Sequence, residues 1–273
     1  MVNELLAFDT LIRLGVFLSV FTAIALWELF APRRTQAAPR IRRWPSNLGL
    51  VAINVALIRV LFPTTAIGMA LMIERQGSGL FHGLAAPAWL AVPLAFVLLD
   101  LAVYFQHVLF HSVPALWRLH RMHHADVEFD VTNGLRFHPL EIILSMGLRL
   151  AVIAALGAPP VAVFAFELVL NAAAMFNHGN VALPGRIDSR LRWILVTPDM
   201  HRVHHSSLPE ETQSNFGFNL PWWDHCFGTY RAQPRDGHQA MQLGLSILRE
   251  PAWSRLDRML VQPWATDDGR TDA

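Results

Sequence analysis

Histidine placement is the first chemical signal in this sequence. His107 and His111 in HVLFH are four residues apart, so a helix would carry both imidazoles on one face. HRMHH supplies His120, His123 and His124, and HRVHH repeats the pattern with His201, His204 and His205. Within each set the first ring pairs with the later two across one helical turn. His138 in RFHPLE and His178 in FNHGN lie between these clusters. Imidazole is a borderline ligand suited to Fe, Zn, Cu and Ni. Metal-sequestering histidine tracts are runs, whereas these clusters are separated and helically spaced. Eight or nine imidazoles exceed the about three or four protein ligands that one zinc ion takes, so the residues alone point to a dinuclear, nearly all-imidazole site. No Glu-x-x-His motif of the carboxylate-bridged bundles coincides with the clusters. Cys226 is the single cysteine, which excludes an internal disulfide, a Cys-rich zinc site and a Cys-ligated iron–sulfur cluster.

The elements that must position these rings are apolar. Of 273 residues, 53% are hydrophobic and only 16% charged, with a net charge of +1 and all 22 basic residues arginine. Soluble domains carry about 25% charged residues. The composition therefore excludes a disordered chain and a nucleic-acid binder working through a basic surface, and it implicates lipid as part of the solvent. A spanning helix needs about 20 apolar residues. Such stretches run from about Leu11 to Phe30, from about Leu48 to Ile73 (with Arg59 and Pro63 inside), and from about Ala88 to Val108. A fourth, from about Leu140 to Phe176, is interrupted at Gly157-Ala158-Pro159-Pro160 and reads as a hairpin of two shorter helices. The expected architecture is an all-α, integral membrane helical bundle of about 4–5 membrane helices, with a helical cap holding the dinuclear site. It forms one membrane-embedded domain over 1–273: membrane helices in 11–108, the boxed segment 109–139, the hairpin 140–178, the cap 179–262 and a disordered polar tail 263–273.

Arg33, Arg34, Arg40, Arg42 and Arg43 crowd the first connection, whereas the second holds only Arg75. By the positive-inside rule the first connection is cytoplasmic. The parity of segments then places every histidine cluster, and the C-terminal cap, on that same face.

HVLFH, HRMHH and HRVHH, in that order after membrane helices, resemble the three histidine boxes of the fatty acid hydroxylase/sterol desaturase superfamily. Arg136-Phe-His-Pro-Leu-Glu141, Asn177-His178-Gly-Asn180, Asn215-Phe-Gly217, Trp223-Asp224 and Phe227-Gly-Thr-Tyr230 match as well, and RWPSNLGL at Arg43–Leu50 resembles the start of its second helix. The resemblance implies an O2-dependent membrane oxidoreductase, a hydroxylase or desaturase acting on C–H bonds of a sterol, fatty acyl or related lipid. It further implies two Fe ions, which Zn can replace in recombinant protein. His107, His111, His120, His123, His124, His201, His204 and His205 would be ligands, with His178 as the ninth. No segment resembles a fused cytochrome b5 domain, so a separate electron donor of cytochrome b5, ferredoxin or reductase type is expected, in a bacterial inner (cytoplasmic) membrane.

The remaining polar residues have two readings each. Asp199 either accepts the outer N–H of a ligating imidazole or caps the helix of HRVHH, since TPD is good N-terminal chemistry. Asp126 and Asp130, after the second box, share that ambiguity. Asn177 either contacts a metal-bound water or closes its helix. His138 is a ligand or an outer group, and the Pro139 that follows and the lack of a histidine one turn away favour the latter. Arg149 and Glu167, on the two arms of the hairpin, are expected to pair inside the bundle. The competing functional class is a non-catalytic membrane metal or haem protein, a transporter or bis-histidine cytochrome. A zinc hydrolase is disfavoured because neither HRMHH nor HRVHH contains H-E-x-x-H.

Overall fold

The computed structural model describes residues 2–266, with side chains from Asp9 onward. The chain is helical, and two isolated antiparallel bridges join Pro32 with Val181 and Ser206 with Leu243. The bundle comprises α1 (Val2–Phe30), α2 (Arg40–Leu61), α3 (Ala66–Gln76), the one-turn α4 (Leu80–Gly83), α5 (Ala88–Ser112), α6 (Pro114–His124), α7 (Pro139–Leu156) and α8 (Pro160–Asn177). The cap adds α9 (Gly185–Leu191), α10 (Pro198–His204), α11 (Pro209–Thr212), α12 (Trp222–Phe227), α13 (Gly237–Ala240) and α14 (Leu256–Val261). Five segments are long and apolar enough to cross a bilayer: Asp9–Phe30, Arg40–Gly83, Ala88–Ser112, Pro139–Leu156 and Pro160–Asn177.

The second span differs from the single helix read over 48–73. It begins earlier, at Arg40, and breaks at Phe62–Thr65. Pro63 explains the break. Proline cannot donate to the carbonyl one turn back and pushes its predecessor out of the helical region, and Phe62 is extended at φ −109°, ψ 116°. Thr65 restarts the chain as α3 by accepting from the Gly68 N–H at 3.1 Å.

One apolar core joins α3, α5, α7 and α8 through Ala70, Ala95, Leu99, Ile153, Val163 and Phe166. A second seats α1 on α8 through Ile24, Met175 and Val181. Outside these cores the helices show apolar side chains to their surroundings, as Leu11 at 65% and Leu14 at 51% exposure illustrate. That pattern would be costly in water and is ordinary in lipid. At the end of the bundle far from the three histidine clusters, Gly79 and Gly157 let two turns pack backbone to backbone. A Cβ on Gly79 would lie 2.3 Å from the Gly157 nitrogen, and both residues hold positive φ. The hairpin pairing is made: Arg149 Nη1 reaches Glu167 Oε1 at 3.1 Å, while Arg13 donates to Glu167 Oε2 at 2.8 Å.

The polar tail expected from residue 263 is packed over its first part. Pro263 and Ala265 are buried, and Arg121 donates to the carbonyls of Gln262 and Ala265. The rest of that tail, residues 267–273, lies outside the described residues.

Candidate metal centre

Four helix ends meet under the cap. α5 brings His107 and His111, α6 brings His120, His123 and His124, His178 closes α8, and α10 brings His201 and His204 with His205 at its C-cap. All nine rings are buried. They fall into two groups: His107, His111, His120, His124 and His204 in one, His123, His178, His201 and His205 in the other. In each group the candidate donor atoms lie within 4.8 Å of one another.

The outer nitrogens fix the tautomers. Nδ1 of His107 bonds the Phe216 carbonyl at 2.8 Å, His204 that of Ser214 at 2.7 Å, His178 that of Ala174 at 2.7 Å, and His123 that of Arg136 at 3.2 Å. A carbonyl only accepts, so each Nδ1 carries the proton and each Nε2 keeps a lone pair. Nδ1 of His120 contacts Glu141 Oε1 at 2.7 Å in the same sense. The inner nitrogens then have nothing to donate. His123 and His178 bring two such Nε2 atoms to 3.0 Å, where lone pair faces lone pair, an arrangement that a shared cation relieves. Nε2 of His107, His120 and His204 is buried with no hydrogen-bond partner. The donor set therefore fits a metal centre. Burial, reinforced by the neighbouring imidazoles, drives the rings to the neutral form that ligates: the pKa of His178 and of His204 falls to about 3, and those of His123, His124, His201 and His205 lie well below the ordinary value.

The supporting shell is built from loops. Arg43 grips Asp126 with two bonds of 2.8 Å, Asp130 at 2.7 Å and Asn133 at 3.0 Å. This fixes the 125–137 loop that presents the Arg136 carbonyl to His123. Asp126 and Asp130 thus serve Arg43, with Arg136 also on Asp126 at 3.4 Å, and bond none of the nine imidazoles. Asp224 accepts from the N–H groups of Phe216 and Gly217, both at 2.8 Å, and from Thr229 at 2.7 Å. Beside it Asn215 holds a left-handed backbone, φ 52°, while its side chain donates to the Met200 and Arg231 carbonyls. Together they aim the Ser214 and Phe216 carbonyls at His204 and His107. Aromatic rings close the site: Phe137 stacks on His123 at 4.4 Å and 12°, and Phe129 stacks on His178 at 5.5 Å.

Two of the three expected supporting residues stand away from the nine rings. Asp199 bonds Arg33 with both oxygens at 3.0 Å and also holds Arg202, so neither of its anticipated roles is filled. The cap of α10 is Thr197, whose hydroxyl accepts from the Met200 N–H at 3.4 Å. His138 belongs to neither histidine group. Its Nδ1 accepts from the Leu140 N–H at 3.2 Å, capping α7, and its Nε2 donates to the Leu260 carbonyl at 3.1 Å. Asn177 donates to the Phe218 carbonyl at 3.0 Å, tying the cap to α8 beside His178, while its Oδ1 stays unpartnered. The carboxylate that does hold an imidazole, Glu141, has a signal in RFHPLE: it follows Pro139 by two residues and therefore lies in the first turn of a helix pointed at the clusters.

A cavity of about 40 Å³ opens between α5, α7 and the cap, against His107, His120, His123 and His201. Its other walls are Val103, Phe110, Phe137 and Phe218, with Gln106 and Glu141 as the polar members.

Long apolar helices that end on a buried nest of neutral imidazoles define a membrane-embedded metalloprotein. The family follows from comparison with known proteins. The fatty acid hydroxylase family model matches residues 92–229, about half the chain, which therefore belongs to that family and is an integral membrane oxidoreductase. The chain is 28% identical over 226 residues to the ornithine lipid hydroxylase OlsE of Rhizobium tropici, covering 81% of this chain and 67% of that one. It is 32% identical over 137 residues to alkylglycerol monooxygenase of Xenopus tropicalis, covering 50% of this chain, and 31% identical over 139 residues to the human enzyme, covering 51%. The matched part is 30% of either monooxygenase, so the chain spans less than a third of those relatives. No solved structure matches the chain.

Proposed function

We propose that this protein is an O2-dependent lipid hydroxylase whose histidines hold two iron ions. The observation that carries this reading is the division of the nine buried imidazoles into groups of five and four, five of them with an inner nitrogen that has no proton to share. Five and four ligands suit two metals with room left for small molecules. When bound, the irons supply O2 activation and oxidation of an unactivated C–H bond, with electrons from a separate donor of cytochrome b5, ferredoxin or reductase type.

The chain's own residues do the positioning. His107, His111, His120, His124 and His204 would hold one ion, and His123, His178, His201 and His205 the other. Glu141 and the loop carbonyls hold the rings by their outer nitrogens, and an outer partner of this kind raises ligand basicity. Val103, Phe110, Phe137 and Phe218 are the apolar walls against which an alkyl group of the substrate would lie beside His107 and His120. Relatives named a hydroxylase and a monooxygenase favour insertion of one oxygen over removal of two hydrogens, and their named lipids, ornithine lipids and alkylglycerols, favour a polar membrane lipid as substrate. Kinship with enzymes also speaks against a transporter or cytochrome. For location, Arg33 and Arg34 both bond the cap, so the Arg-rich first connection and the site share one face. The positive-inside rule makes that face cytoplasmic in a bacterial inner membrane.

The test is metal analysis with lipid mass spectrometry. Protein from iron-supplemented cells should carry close to two ions per chain, and a complemented deletion strain should gain one oxygen in a single lipid class. One ion per chain would refute the dinuclear reading. A Soret band would replace it with haem.

A further inference from the structure

The cap does not simply sit on top of the bundle. Asp100 lies at the middle of α5, twelve residues and about 18 Å from either end of that spanning helix. Its carboxylate is buried, and Oδ2 accepts from the Leu220 backbone N–H at 3.2 Å and from the Trp223 indole at 2.8 Å. A cap segment thus descends to the depth of Asp100. Non-helical backbone at that depth survives only where protein satisfies its polar groups, which accounts for a carboxylate in the middle of an apolar helix. α12 follows the same flank: Phe227 stacks on Tyr104 at 5.4 Å and packs on Phe105 at 5.2 Å, and Tyr104 shares a hydrogen bond with Thr229 at 2.9 Å. Phe105 itself is 45% exposed on the lipid-facing side of α5. Exposed Trp89, at the opposite end of the helix, marks the far interface. A hydrocarbon layer of about 30 Å counted from there takes in about 20 residues, up to roughly Leu109, and therefore encloses the whole α12 contact.

The outward side of this segment is mainly apolar and aromatic, with the exposed His225 ring stacked flat on Trp193 at 5.6 Å. Trp193 is 69% exposed, Ile194 60%, Phe227 51% and Trp222 42%. The two tryptophans are locked together, Trp222 Nε1 donating to the Trp193 carbonyl at 2.7 Å. Exposed Arg186 and Arg190 in α9 precede this patch, at a place suited to lipid phosphates. The patch is continuous with the lipid-facing side of α5 through the Phe105–Phe227 contact.

We propose that the surface formed by Trp193, Ile194, Trp222, Cys226 and Phe227 is immersed in the lipid leaflet nearest the histidine centre, making this part of the cap a re-entrant membrane element. Its occupant is bilayer lipid. The arrangement brings acyl chains beside Phe218, which precedes the buried segment and forms one wall of the cavity under the imidazoles. A membrane lipid then reaches that wall sideways, from the leaflet, without leaving the bilayer.

Cys226 is exposed within the patch and is the only cysteine in the chain, so it is a ready reporter. The full-length protein, labelled there with a small polarity-sensitive fluorophore, is reconstituted into phosphatidylethanolamine/phosphatidylglycerol vesicles. Expected is severalfold stronger quenching by brominated or spin-labelled lipid than by aqueous iodide. The preference should reverse for a label at Arg235→Cys in a Cys226→Ser background, where the native side chain is 60% exposed. In unlabelled protein, Trp193→Phe and Trp222→Phe should each lower the share of tryptophan emission quenched by brominated lipid. Iodide quenching at Cys226 equal to that at 235 would overturn the proposal. So would energy transfer between labelled copies that rises with protein-to-lipid ratio, because a second copy would then cover the patch. These readouts sense depth and not turnover, so their failure leaves the hydroxylase reading untouched.

Discussion

Glu141 offers a direct measure of how far the outer support of the imidazoles governs the metal. Its Oε1 lies 2.7 Å from Nδ1 of His120, its Oε2 is buried without a partner, and the pair is almost inaccessible to solvent. Among the described residues, His120 is the one imidazole of the nine whose outer nitrogen meets a carboxylate; four others meet carbonyls. A hydrogen bond to a charged group contributes a net of about 1.5–3 kcal/mol, and about 1.4 kcal/mol is a tenfold change in an equilibrium constant. Glu141→Ala, which removes both bond and charge, should therefore weaken retention of the metal held by His120 by about 10–100-fold, in line with the usual effect of an outer partner. Glu141→Gln keeps an acceptor and loses only the charge, so its effect should sit near the lower bound.

The assay is metal content per chain during titration with a competing chelator, run beside turnover. Glu141 also occupies the first turn of α7, where a negative charge favours the helix by about 0.3–1 kcal/mol. Thermal unfolding of the same variants separates that contribution. Wild-type metal retention and turnover in Glu141→Ala would refute the claim that this carboxylate tunes His120.

Four further outcomes follow from the geometry. His124→Ala and His178→Ala remove donors from different groups, so each should lower metal content toward one ion per chain and abolish turnover; normal activity in either would overturn the ligand assignment. His138→Ala should keep its metal yet unfold about 1–2 kcal/mol more easily, since it loses a helix cap and a bond to the Leu260 carbonyl; parallel loss of metal would make it a ligand. Arg43→Met leaves Asp126 and Asp130 buried without their cation, and denaturant titration should show a loss of about 3–5 kcal/mol. Burial lowers the His238 pKa to about 4, below its unfolded value, so the neutral ring contributes stability that is complete above about pH 6.5 and is lost as pH falls toward 4; unfolding midpoints across that window should fall less steeply in His238→Gln.

What could be read from the sequence and what could not divide along the range of the interactions involved. The histidine clusters were legible because imidazole pairs one turn apart are a local pattern, and the spans were legible because a run of apolar residues needs no partner to be recognised. The hairpin punctuated by Pro159 and Pro160 is of the same kind. The support was opaque where it depends on chain closure. Asp199 stands two residues from His201, yet its partner Arg33 comes from 166 positions away, and no local pattern announces that α1 ends beside α10. Asp126 and Asp130 likewise follow the second box and serve Arg43, 83 and 87 positions upstream. The carbonyls that orient His107, His123 and His204 carry no side-chain signature at all. Proximity in sequence to a ligand therefore proved a poor guide to which residue supports it. In this fold the carboxylates nearest the boxes clamp arginines that fasten the loops, and the loop backbones then do most of the aiming. A substitution that loosens Arg43 or Arg33 should therefore reach the imidazoles through the loops, without touching a single ligand.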